Sequence, residues 1–144
     1  MKVSVKKIVD AYKLLGEAKV TKLEDADKIK VLKARKAMRV IADDFDAFLK
    51  DAQDKFKPEG WEDVQKKVAQ WQEEGENTTL SEDERKSINK ALIAYQTSID
   101  KAIKDELNKE VEIEIEKLGE GSDVKLMSAN DWTPNQLDMI DVIL

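Results

Sequence analysis

The longest uninterrupted pattern in this chain runs from Leu23 to Phe56. Apolar residues fall at Val31, Ala34, Met38, Ile41, Phe45, Phe48 and Ala52, in steps of three and four, flanked by Ala42, Leu49 and Phe56. That spacing lines one face of an α-helix. Neither Pro nor Gly interrupts it, and at 1.5 Å per residue the helix would be ~50 Å long. A rod of that length cannot bury its stripe against itself, so the pattern demands a long partner. Ile88, Leu92, Tyr95, Ile99, Ala102, Ile103 and Leu107 supply one at the same period. Ser81 and Glu84 open it with capping-box spacing. The two helices, about 22–57 and 81–108, are expected to form an antiparallel hairpin with residues 58–80 as an elaborated tip.

Shorter patterns fill in the rest. Lys57-Pro58-Glu59-Gly60 ends the first rod by turn chemistry. Trp61, Val64, Val68 and Trp71 then recur at helical spacing, and this ridge has two readings: a cap over the hairpin tip, or a knob that binds a protein partner. Near the N-terminus, Met1–Val5 alternates weakly. Ile8, Val9, Ala11, Tyr12 and Leu15 mark a short helix, with Gly16 as its stop and Thr21 and Glu24 as a capping box for the long helix. At Glu110 the period switches to two: Val111, Ile113 and Ile115 alternate with Glu110, Glu112, Glu114 and Glu116, predicting a strand over 110–118. It needs a neighbour, either residues 1–5 or a candidate third strand over 123–127. Thr133 and Pro134 open a C-terminal helix over about 133–143. Its Leu137, Ile140 and the terminal Leu144 are too apolar for a free tail and are expected to dock in the core or lie under a partner. The fold class expected is therefore α+β, predominantly α: one domain over 1–144, a long helical hairpin with a small sheet at its root.

Composition narrows the chemistry more than the architecture. The chain has 144 residues without a single Cys or His. That rules out disulfides, thiolate nucleophiles, Ser-His and Cys-His arrangements and the commonest metal ligands. Charged residues make up 39%, far above the globular norm, which points to helices with solvated faces. Lys28, Lys33, Arg35 and Arg39 belong to a basic half of the long helix. A solvated face explains them; a phosphate-binding role would call for interleaved aromatics, which are missing. The net charge of −6 weighs against sequence-independent nucleic-acid binding. Glu59/Glu62, Glu73/Glu76 and Glu24/Asp27 echo the paired carboxylates of all-α Mg²⁺-dependent nucleotide pyrophosphatases, but they fall at loop boundaries or too early in the chain. The glutamates of 110–116 read as a solvated sheet face. Neither a catalytic residue nor a metal or cofactor is expected. No stretch reaches the ~20 apolar residues of a membrane span, and no signal peptide precedes the first helix, so an intracellular protein is expected.

Taken in order, these parts resemble a family of small, uncharacterised proteins of tailed bacteriophages and prophages. The resemblance is carried by Ile8–Phe56 and by Ile99–Leu144, including Leu107-Asn-Lys-Glu-Val-Glu-Ile-Glu-Ile-Glu-Lys-Leu118 and the Leu137-Asp-Met-Ile140 ending; the two-tryptophan insert lies outside it. It implies a phage setting, commonly beside virion-structure genes, and offers no catalytic residue to carry over. The expectation is a non-enzymatic protein–protein interaction protein, an assembly, adaptor or minor structural component. Its partner would be a phage structural protein or a second copy of itself, either in the host cytoplasm or within a virion. The alternative is a small acidic inhibitor of a host nucleic-acid enzyme or defence complex.

Overall fold

The computed structural model describes all 144 residues as six α-helices, a short 3-10 turn and one two-stranded antiparallel sheet. In chain order these are β1 (Lys2–Ser4), α1 (Val5–Glu17), α2 (Asp25–Lys55), α3 (Trp61–Glu74), the 3-10 turn Gly75–Asn77, α4 (Glu82–Asn108), β2 (Glu110–Glu112), α5 (Ser122–Asn130) and α6 (Pro134–Met139). The predominantly α, α+β class is as expected. No helix is long and apolar enough to cross a membrane. The chain packs as two compact units: Met1–Ala47 with Glu106–Leu144, and Phe48–Asp105.

The first unit holds the main core. Val31, Ala34 and Met38 of α2 are buried with Ile8, Ala11 and Leu15 of α1, and with Leu126, Trp132, Ile140 and Ile143 from the C-terminal segment. β1 pairs with β2 in the register Lys2↔Glu112, Val3↔Val111 and Ser4↔Glu110. The Ile113 amide donates to the Met1 carbonyl beyond it. Ser4 then caps α1, accepting from the Lys7 amide at 3.2 Å. Asn130 fastens the α1–α2 connection, accepting from the Lys19 amide and donating to the Lys19 and Leu126 carbonyls.

Asp27 is the buried polar centre of this unit. Its carboxylate accepts from the Gly119 amide at 3.0 Å and the Ser122 hydroxyl at 3.2 Å, and Lys30 lies 3.7 Å away. It therefore fixes the turn before α5 to the first turn of α2.

Five local expectations are corrected. The segment 123–127 is helix, not a third strand. Its buried positions, Ser122 and Leu126, lie four apart, while Val124 is 60% exposed; the burial period is helical. The strand predicted over 110–118 is regular only through Glu112, because its ladder with β1 ends there; past Ile113 its backbone is held instead by the Leu118 amide donating to the Ile143 carbonyl. It goes on as coil with Ile113 and Leu118 buried. Gly16 does not stop α1, which ends at Ala18 in an extended conformation. Thr21 does not cap α2: the chain turns at Thr21–Leu23, and the Glu24 carbonyl takes the first helical bond, from Lys28. The C-terminal helix is regular only to Met139, then continues as tight turns to Leu144. Thr133 caps it with Pro134 at its start, as expected, and Gln136 completes a capping box.

In the second unit, Ala52, Leu80, Ile88 and Ile99 are the buried apolar residues. Tyr95 of α4 donates its hydroxyl to the Gln53 carbonyl of α2. The Ser81–Glu84 box opens α4: the Glu84 amide donates to the Ser81 hydroxyl at 3.1 Å, and that hydroxyl donates to the Glu84 carboxylate.

Candidate protein-interaction surface

The ridge of α3 is set up by the turn before it. Pro58 and Gly60 end one helix and start the next: the Trp61 amide reaches the Pro58 carbonyl and the Val64 amide the Gly60 carbonyl, with Gly60 at φ 73°. That left-handed φ suits glycine. Trp61, Val64, Val68 and Trp71 then share one face, and each is largely but not fully buried. No residue of α3 is fully buried. The Trp61 ring sits 4.4 Å from the Tyr95 ring, tilted by 38°. This contact holds one end of the ridge in place through an aromatic pair.

The far end of α3 is closed by a hydrogen-bonded knot. Glu74 accepts from the Gln70 amide group at 2.8 Å and from Thr78 and Thr79. These bonds, Gln70's foremost, hold its carboxyl below the usual carboxylate range. Gly75, at φ 59°, caps the helix by donating to the Trp71 carbonyl.

Between α3 and the start of α4 lies an open groove of about 390 Å³. Val64 and Ile88 contribute its apolar part, and Glu59, Asp63, Asp83 and Glu84 its acidic part. Lys67 reaches Asp63 at 3.4 Å and Glu84 at 3.8 Å, which leaves Glu59 and Asp83 unpaired. The site offers partly covered aromatic and aliphatic surface beside free carboxylates. No three carboxylates gather there to hold a cation.

The other residues singled out in the sequence lie elsewhere. Ile140 is wholly buried, and Leu137 and Leu144 pack against the same core. These three close the first unit, and Ile140 has no surface left to offer a partner. The basic residues of α2 have different surroundings. Lys28 pairs with Asp25. Arg35 lies over the Tyr12 ring at 4.9 Å with a buried Nε, and Arg39 Nε donates to the Tyr12 hydroxyl at 3.4 Å. Only Lys33 of the four projects freely. Tyr12 thus takes up two cations that, in the sequence, stand among solvent-facing charges. Asp27, whose spacing from Glu24 echoes a carboxylate pair, accepts hydrogen bonds from Gly119 and Ser122 within the first unit.

Sequence reasoning also missed the exposed apolar residues Ile29, Leu32 and Val40 of α2. They form a second, weaker periodicity opposite the core stripe, which a search for the dominant stripe passes over. No protein-family model, curated protein or solved structure matches this chain. The site must therefore be read from its own chemistry.

Proposed function

We propose that this chain is a non-enzymatic protein–protein interaction protein, an adaptor or minor structural component of phage assembly, which engages a phage structural protein through α3. The observation that carries the reading is the α3 ridge, where two tryptophans stay partly exposed on a helix that buries no residue fully. Trp61, partly exposed and held against Tyr95, is already positioned, so little of its side-chain entropy is left to lose on binding. The unpaired Glu59 and Asp83 beside it favour a partner that brings Lys or Arg next to an apolar side chain. The phage setting is supported by the sequence resemblance of Ile8–Phe56 and Ile99–Leu144.

The test measures binding of the intact chain and its Trp71→Ala variant to purified virion proteins encoded beside it. The expected result is saturable binding that weakens at least about tenfold in the variant, a loss of ~1.4 kcal/mol or more, as for an interface hot spot. The melting temperature should move by less than about 3 °C. Equal binding by both proteins would remove the ridge from the interface. A large drop in melting temperature would assign Trp71 to the core. Binding to a host nuclease or polymerase, and to no virion protein, would favour the inhibitor reading.

A further inference from the structure

We propose that the outer face of α2 is a docking surface for a second copy of this chain, laid antiparallel to the first. This goes beyond the α3 reading and uses a different surface. Ile29, Leu32 and Val40 are 54%, 53% and 63% exposed, and Lys33, Lys36, Asp43, Asp44 and Ala47 around them are exposed too. Ile29, Lys33, Lys36, Val40, Asp43 and Ala47 follow one another in steps of four and three, the spacing of a helix-pairing seam. They lie on the side of α2 opposite the buried Val31, Ala34, Met38 and Phe45. Lys28 and Lys30 are tied to Asp25 and Asp27. Lys33, Lys36, Asp43 and Asp44 enter no ion pair within the chain.

The order of charges along the seam selects the occupant. Lys33 and Lys36 come first and Asp43 last, with Val40 between. A parallel second copy would set Lys against Lys and Asp against Asp. An antiparallel copy, with the two-fold axis between Lys36 and Val40, sets Lys33 against Asp43, Ile29 against Ala47, and the Lys36 stem along Val40. Each contact occurs twice, as an isologous interface requires. Ala47 leaves room for the Ile29 side chain. The seam from Ile29 to Ala47 is about 27 Å long, and exposed ion pairs contribute little each. The dimer therefore belongs to the weak, reversible class of small interfaces, and added salt loosens it.

The test uses the full chain, whose lack of cysteine removes any background. Ile29→Cys and Ala47→Cys variants are oxidised separately and as a mixture. In the antiparallel register the two copies of position 29 are about 27 Å apart, far beyond disulfide reach, as are the two copies of position 47. The mixture should therefore yield covalent dimer at least about tenfold above either variant alone. Sedimentation of the unmodified chain should show reversible dimer at high concentration. Lys33→Asp should raise the dimer dissociation constant about fivefold, and Lys33→Asp with Asp43→Lys should restore it. Cross-linking of each variant with itself and not in the mixture, a monomer at every concentration, or no rescue by the double reversal would each overturn the proposal. None of these outcomes bears on Trp71, so the two readings fail separately.

Discussion

Asp27 shows how one side chain can hold distant segments together. It is a charged residue buried on the first turn of α2, satisfied by the Gly119 amide and the Ser122 hydroxyl. The Gly119 bond, ahead of the opposing cost of burial, holds its carboxyl below the usual aspartate range. A lowered folded-state pKa means that the ionised form stabilises the fold. That contribution is complete above the unfolded value, about 3.9, and is lost as pH falls through the lower folded value. Asp27→Asn keeps the shape but removes this titration. The advantage of the native chain over Asp27→Asn, followed by thermal melts, should be constant from pH 7 to about pH 5 and shrink below about pH 4. A difference that stays flat to pH 2 would mean that Asp27 is not the titrating group. Asp27→Ala leaves the buried Ser122 hydroxyl without its acceptor, and should lower the melting temperature by roughly 5–10 °C at pH 7.

At the scale of elements, α5 separates burial from propensity. Four residues, Val124 to Met127, alternate well enough to pass for a strand, and a strand would place Val124 and Leu126 on one face. As a helix, α5 buries Leu126 completely and leaves Val124 60% exposed. Leu126→Ala should therefore cost ~2–5 kcal/mol by denaturant titration, and Val124→Ala less than about 0.5 kcal/mol. Similar losses at the two positions would contradict the helix. The same contrast explains what was legible in the sequence. The stripe of Val31, Ala34, Met38 and Phe45 repeats long enough to fix its helix and its buried face, and all four are buried. The Ser81 cap was readable from Glu84 three residues on, and the Thr133 cap from Pro134 beside it. Short segments lack such repetition. Whether 113–118 pairs, or Gly16 ends a helix, depends on contacts from residues remote in sequence. The α3 ridge was readable by its spacing. Ile29, Leu32 and Val40 were not, because lysines and aspartates interrupt their seam.

For the molecule as a whole, the two units hold very different stores of apolar contact. The first buries a continuous core drawn from α1, α2, α5 and the C-terminal segment. In the second, the buried apolar residues are Ala52, Leu80, Ile88 and Ile99, and α3 contributes none. Opening free energy follows buried apolar contact, so the second unit should open first. The tryptophans can report this separately, since Trp61 and Trp71 belong to the second unit and the buried Trp132 to the first. A Trp132→Phe variant reports the second unit alone, and a Trp61→Phe/Trp71→Phe variant the first. In urea, the fluorescence of Trp61 and Trp71 should change at a lower midpoint than that of Trp132. Amide exchange should be faster through α3 than through α1. Coincident midpoints would show the chain unfolding as one cooperative body, with α2 and α4, which contribute residues to both units, coupling them. A second unit that opens readily suits a binding element, because a partner that covers α3 adds the apolar burial it lacks. Binding at the ridge should then raise the midpoint reported by Trp61 and Trp71 while leaving that of Trp132 nearly fixed.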